Sequence, residues 1–156
     1  MVQVIDGVII KRLVSIADER GFLMEMIRSE EESLLKKFGQ VYLTIAYLGV
    51  VKAWHWHEKQ DDNFCVVKGM AKVALYDRRD GSKTKGNVME LIIGEKYPCV
   101  VHIPVGVAHG YKAIGSEACY LINTITEMYD RANPDEKRIP YDDKTIPYNW
   151  NRDING

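Results

Sequence analysis

Within GVVKAWHWHEKQDDNFCVVKG, residues 49–69, two histidines alternate with two tryptophans. Successive side chains on a strand point to opposite faces, so His55 and His57 share one face while Trp54 and Trp56 share the other. A helix would scatter the same four around its circumference. The segment therefore predicts a two-sided strand: if one imidazole lines a cavity, so does its twin. The indoles then serve as outward packing or dimer-interface groups. A second segment, IPVGVAHGY, adds Pro104, Gly106 and His109. Taken singly, a histidine among aromatic residues is an ordinary core or surface group, which is how His102 reads. Three histidines in two short motifs read as a site.

The rest of the chain is rich in short β segments. Residues 4–13, 22–28, 40–47, 64–67, 71–76, 88–93, 99–103 and 118–124 carry Val, Ile, Tyr and Phe between Gly, Asp, Asn or Pro. Strands at this spacing predict a sandwich or barrel. One helix is expected from Ser29 through SEEESLLKKFG, with an N-cap serine, early acids, Lys36 and Lys37 late, and Gly39 as the stop. Residues 78–86 read as a polar hairpin or loop. The tail, residues 130–156, carries three of the five prolines and reads as an extended segment packed on the body through Tyr141, Ile146, Tyr148 and Trp150.

At 156 residues the whole chain, 1–156, is expected to form a single domain. Lys plus Arg (21) balances Asp plus Glu (22), so there is no basic excess to hold nucleic acid or an anionic membrane. No apolar run reaches the ~18 residues of a membrane span. Asp6 precedes the first apolar stretch and Lys11 and Arg12 follow it, which is not the order of a secretory signal. Cys65, Cys99 and Cys119 are odd in number, lack CxxC spacing and sit in apolar segments. They read as free thiols of a reducing compartment, and the expected location is the cytoplasm.

The spacing of Gly49, His55, His57, Asp62 and Gly69 matches the first signature of the cupin superfamily, with Asp in place of the usual Glu. Pro104, Gly106 and His109 resemble the second. The resemblance implies an all-β fold, a cupin-type jelly-roll β-barrel with one short helix.

A narrower likeness runs over nearly the whole chain, which resembles the dTDP-4-dehydrorhamnose 3,5-epimerase family. DERGFLMEMIR is similar to that family's D-x-R-G segment with its following Glu (Asp18, Arg20, Gly21, Glu25), and Gln40 lies nine residues before Gly49 as the family's strand Gln does. GVVKAWHWH stands where the family has G-V-L-R-G-L-H-Y-Q. DRRDGSKTKG reproduces D-x-R-x-x-S-x-T-x-G, Tyr129 precedes DRANPDE, and IPYDDKTIPYNW resembles D-D-x-x-I-x-x-x-W.

That resemblance implies a nucleoside-diphosphate 4-keto-6-deoxyhexose as substrate, with a C–H bond beside the ketone acidified by enolate formation. His55 aligns with the catalytic base, and histidine's ordinary pKa of ~6.5 suits proton abstraction at cellular pH. Tyr129 resembles the acid that returns a proton from the other face. Arg20, Glu25, Gln40, Lys52, His57 and His109 become the expected substrate-binding residues. Lys52 or the His109 N–H would stabilise the enolate oxygen, and Arg20 with Lys52 would hold the diphosphate. No cofactor is implied. Family members pair, so a homodimer is expected, with residues 1–13 as an N-terminal strand added to a partner's sheet. The implied setting is surface or spore-coat polysaccharide synthesis.

Three departures bear on the chemistry. By this resemblance the family's catalytic Lys aligns with Asp62, a Gln has become His57, and the family segment that supplies the Asp partner of the catalytic histidine is expected to lie beyond residue 156. Asp61, Asp62 and Asp142 are the candidates for that partner. The same substitutions restore a metal-binding set, His55, His57, Asp62 and His109, so a metal-dependent cupin holding a divalent transition metal is a second reading. A noncatalytic nucleotide-sugar-binding protein is a third.

Overall fold

The alternating β segments form twelve strands in the structure, a computed structural model that describes residues 4–151. One sheet runs β1 (Ile9–Arg12), β9 (Cys99–Ile103), β6 (Asp62–Lys68), β11 (Cys119–Ile125), β4 (Gln40–Ala46). The other runs β12 (Lys137–Arg138), β5 (Val51–Trp56), β10 (Val107–Ile114), β7 (Met70–Asp77), β8 (Val88–Gly94). A separate hairpin pairs β2 (Ile16–Asp18) with β3 (Gly21–Leu23). All pairings are antiparallel. The inner faces of the two large sheets bury Val73, Leu75, Val101, Ile103 and Leu121 against one another. This is the cupin-type jelly roll that the two histidine signatures imply.

Both outer faces are also covered, which is why several strands lack a clean polar face. The tail lays Ile146 and Trp150 over Trp54, Ala74 and Ala108. Trp54 sits edge-on to Tyr148 at 5.7 Å and tilted against Trp150 at 5.1 Å. The Trp54 indole is thus packed beneath its own chain, while Trp56 stacks under the Arg78 guanidinium at 3.7 Å. On the other sheet, Met24, Met26 and Ile27 cover Leu13, Cys65 and Val100. Cys65, Cys99 and Cys119 are buried free thiols.

Three local expectations change. No helix forms among the described residues. In the segment beginning at Ser29, Leu34 N–H and Leu35 N–H both donate to Glu31 C=O, and no longer ladder develops. The Glu31 carboxylate turns back to Arg28 N and to the Lys11 ammonium, Leu34 enters the interior, and Gly39 N–H donates to Ile125 C=O. A helix this short is held by tertiary contacts or not at all, and here they pull the chain elsewhere. The strand expected over 22–28 ends at Leu23, because residues 24–27 leave the hairpin to cover the first sheet. The N-terminal strand is confined to Ile9–Arg12 and pairs with β9 of its own chain, Ile9 opposite His102 and Arg12 opposite Cys99. Residues 1–3 of that expected strand and 152–156 of the tail lie outside the described residues.

The D-x-R-x-x-S-x-T-x-G motif proves to be a cage for one carboxylate. Fully buried Asp77 accepts from Arg79 Nε (2.8 Å), Ser82 Oγ (2.6 Å) and Thr84 Oγ1 (2.6 Å). Arg79 and Thr84 also bind the Asp6 backbone, which ties the N-terminal segment to the barrel. Burial opposes ionisation of Asp77, but these donors together hold its pKa far below the ordinary carboxylate range. A depressed folded pKa supplies stability above the unfolded value of ~3.9 and forfeits it as pH falls toward the folded one. Asp77→Asn is expected to lose about 3 kcal/mol at pH 7 by urea unfolding. It should also show a shallower loss of stability than the wild type below pH ~4.

Candidate active site

At the open end of the barrel a cleft of about 480 Å³ is lined by Thr44 and Phe64 from one sheet and Lys52, His55, His109 and Tyr111 from the other. A second cleft of about 380 Å³ adjoins it, and the two share Tyr42, His57 and Glu136. Strand parity works as the sequence predicts. His55 and His57 face the cleft, while Trp54 faces the tail. His109 stands opposite His55 in the β5–β10 register, beyond which the pairing shifts before Tyr111 meets Lys52. Gly110 is required at that irregularity, since a Cβ there would come within 2.3 Å of the Ala53 Cβ.

His55 has a carboxylate partner, and it is Glu136 rather than any of the three aspartates expected. His55 Nδ1 lies 2.9 Å from Glu136 Oε1. The carboxylate can only accept, so Nδ1 carries a proton, and in the neutral imidazole the lone pair is on Nε2. The bond to His55, helped by Arg138, pulls the Glu136 pKa down to about 2. Backbone pairing sets this geometry. Arg138 sits opposite His55 in the β12–β5 register, and Trp54 and Ile139 exchange two backbone hydrogen bonds of 3.0 Å. Asp135 accepts from the backbone N–H groups of Glu58, Lys59 and Gln60 and fastens the loop after His57.

Asp62 is buried at the floor of the cleft. Its Oδ1 accepts from Asn123 Nδ2 (2.6 Å) and Gln60 Nε2 (3.0 Å), and its Oδ2 faces His57 Nε2 (3.4 Å) and His109 Nε2 (3.9 Å). His109 Nδ1–H donates to Val107 C=O at 3.1 Å. Burial pushes its pKa down to about 4, outweighing the pull of Asp62. A neutral His109 therefore presents a lone pair and not an N–H toward the cleft, which removes it as the expected donor to an enolate oxygen. Lys52 also lines the cleft, its Nζ donating to Thr44 Oγ1 at 2.9 Å.

The expected metal set does not assemble as four. Among the described residues His57, Asp62 and His109 bring ligand atoms within 4.8 Å of one another, and His55 is not part of that group. Asp61 instead accepts from Val105 N–H and faces Lys36, and Asp142 lies on the tail away from the cleft.

Other expected residues spread outward. Gln40 lines the second cleft and accepts the Tyr129 N–H at 3.1 Å. Tyr129 is 47% exposed and lines that second cleft only. The side chain of Arg20 is 85% exposed and paired with Asp18 on the β2–β3 hairpin, and Glu25 pairs with Arg28; neither lines either cleft. That hairpin stands off the barrel, so sequence proximity to the family motif does not bring Arg20 to this chain's own site. His102 bonds Asn63 Oδ1 at 3.0 Å, an ordinary buried histidine. Sequence reading missed Glu136, Arg138 and Tyr42. Alternation from Gln40 along β4 places Tyr42 on the inner face, a signal that was there to read; nothing local marks Glu136.

Comparison with known proteins adds ancestry to this geometry. Residues 16–137 match the family described as the polysaccharide biosynthesis C-terminal domain. The chain is 47% identical over 150 residues to the Bacillus subtilis spore coat polysaccharide biosynthesis protein SpsL, covering 96% of this chain and 99% of that one. It is 44% identical to the probable low-salt glycan biosynthesis epimerase Agl13 of Haloferax volcanii, covering 90% of each. Among solved structures, a dTDP sugar isomerase from Desulfovibrio desulfuricans superimposes with a TM-score of 0.87 at 27% identity, covering 94% of this chain and 92% of that one. A Legionella pneumophila dTDP-6-deoxy-D-glucose-3,5-epimerase, solved with dTDP-4-keto-L-rhamnose, gives 0.83 at 27% identity, covering 94% of this chain and 80% of that one.

The hydrogen bonding of His109 is directly checkable. Long-range ¹H–¹⁵N NMR is expected to find His109 as the neutral Nδ1–H tautomer from pH 8 to pH 5, with protonation only near its lowered pKa of about 4.

Proposed function

This chain belongs to the polysaccharide biosynthesis C-terminal domain family, and from that premise we propose that it is a nucleotide-sugar epimerase or isomerase of the dTDP-4-dehydrorhamnose 3,5-epimerase kind. It acts on the carbon beside the keto group of a nucleoside-diphosphate 4-keto-6-deoxyhexose in surface polysaccharide or glycan synthesis. The observation that carries the reading is the His55–Glu136 pair at the cleft wall. Glu136 accepts a hydrogen bond from the Nδ1–H of His55 and leaves Nε2 free to remove a C–H proton. The imidazolium that forms is stabilised by the same carboxylate. Lys52 is the cation in the cleft that faces the developing enolate, and Arg138, which also lines it, adds charge for the diphosphate. The reaction so written uses no cofactor.

A homodimer is part of this reading. It is supported by the apolar groups that the β2–β3 hairpin leaves exposed, Ile16, Phe22 and Leu23, and by the open edge of β4 with Val41 and Leu43. Arg20, remote from its own cleft, meets a phosphate only if that hairpin reaches a partner's cleft. The buried free thiols suit the cytoplasm. No helix among the described residues is long and apolar enough to cross a membrane. A second reading, a divalent metal held by His57, Asp62 and His109, is supported by the convergence of their ligand atoms.

Proton NMR of dTDP-4-keto-6-deoxyglucose in D2O tests the chemistry. The wild type is expected to exchange a proton at carbon 3 or carbon 5 with EDTA present. His55→Asn should slow that exchange by about 10²–10⁴-fold, and Glu136→Gln by about 10²-fold. Exchange lost in EDTA and restored by Mn²⁺ or Zn²⁺ supports the metal reading instead. For the dimer, Phe22→Glu is expected to shift light-scattering mass from dimer to monomer with unchanged far-UV circular dichroism.

A further inference from the structure

Glu136 serves two donors with one oxygen. Its Oε1 accepts the His55 Nδ1–H at 2.9 Å and the Arg138 Nε–H at 2.5 Å. Resting on the epimerase reading, we propose that Arg138 is a positioning residue that couples the substrate's diphosphate to the base. Arg138 shares Glu136 Oε1 with His55, and a diphosphate, by taking the guanidinium, leaves that oxygen to the imidazolium that forms at His55.

Backbone pairing brings the two donors together. Arg138 stands opposite His55 in the β12–β5 register, so both converge on the carboxylate from adjacent strands. Their surroundings differ. The side chains of His55 and Glu136 are 29% and 24% exposed, whereas that of Arg138 is 76% exposed and also lines the cleft. An ion pair this open to water adds little stability, so the guanidinium leaves it readily. Arg138 uses its Nε alone, and among the described residues its two Nη groups have no hydrogen-bond partner, which leaves the planar fork for a phosphate. Arg79 shows the opposite arrangement. Its Nε and Nη2 both meet Asp77, and Nη2 also reaches the Asp6 C=O and Ser82 Oγ, so that guanidinium is fixed. Other charged groups of the cleft do not compete for Glu136, since Lys52 donates to Thr44 and Asp62 accepts from Asn123 and Gln60.

The coupling is electrostatic and adds no proton transfer. When the C–H proton reaches His55 Nε2 the ring becomes a cation, and Glu136 stabilises it through the Nδ1–H bond. A guanidinium on the same oxygen offsets part of the carboxylate charge and repels that cation. Once a phosphate holds Arg138, the whole carboxylate serves the base. Contacts to a part of the substrate that does not react thereby lower the barrier at the carbon that does. Sugars carrying a diphosphate are then favoured over bare sugars through rate as well as through binding.

Two substrates should respond to Arg138→Ala in opposite directions. With dTDP-4-keto-6-deoxyglucose in D2O, the KM for exchange of the proton beside the ketone is expected to rise by about 10-fold. With the methyl glycoside of 4-keto-6-deoxyglucose, which carries no phosphate, the variant should exchange that proton about 10-fold faster than wild type, because Glu136 then serves His55 alone. Inorganic pyrophosphate should speed exchange of the glycoside by about 10-fold in wild type and have no such effect on Arg138→Ala. A guanidinium that only binds phosphate would leave the glycoside rate unchanged on substitution, and a merely structural one would lower it; either result overturns the inference. So does equal acceleration of both proteins by pyrophosphate, or none in the wild type. Wild-type protein that exchanges no proton of the dTDP sugar would overturn the epimerase reading for dTDP sugars and this inference with it.

Discussion

One buried carboxylate fastens both walls of the cleft. Asp62 is 1% exposed, and an anion withdrawn from water is tolerable only when its oxygens are met by donors. Gln60 and Asn123 donate to one oxygen, while the second lies 3.4 Å from His57 Nε2 and 3.9 Å from His109 Nε2. The demand propagates. Asn123 must present its NH2 to Asp62, its carbonyl therefore meets Asn63 N–H, and the second N–H aims at Tyr42. Asp62, Gln60, Asn123, Asn63 and Tyr42 thus form one hydrogen-bonded network at the floor of the cleft.

The tail has two roles. Its start carries Glu136 to His55 through the β12–β5 pairing, and its end closes the outer face of the same strand with Tyr148 and Trp150 on Trp54. The base and its partner therefore ride on one strand pair anchored from behind by an aromatic cluster. Glu136 projects from a backbone that Asp135 and Ile139 fix on either side. Aligning an imidazole to within hydrogen-bond tolerance requires such support.

Much of the architecture was legible. The strands over 40–47, 71–76, 88–93 and 99–103 lie within about two residues of their expected ends, because alternation and turn residues are local properties. The helix expected from Ser29 failed for the complementary reason. Its caps and charges were favourable, but local propensity in a ten-residue segment is small beside the burial of Leu34 and the bond from Gly39 to Ile125. In the D-x-R-x-x-S-x-T-x-G motif the residues were visible and their task was not. A string of polar residues does not announce that it encloses Asp77.

The site divides along the same line. The sequence by itself determined that His55 and His57 share a face, that Trp54 and Trp56 share the other, and that His109 comes from the second signature. Period-two geometry and motif spacing are properties of a chain read along its length. Only the tertiary structure decided that His55 bonds Glu136, 81 positions away, that Arg20 stands outside its own chain's cleft, and that Tyr42 and His55 line one cleft from different sheets. Those facts depend on which strands become neighbours and on where a buried charge finds its donors, and both are settled by packing between residues remote in the chain.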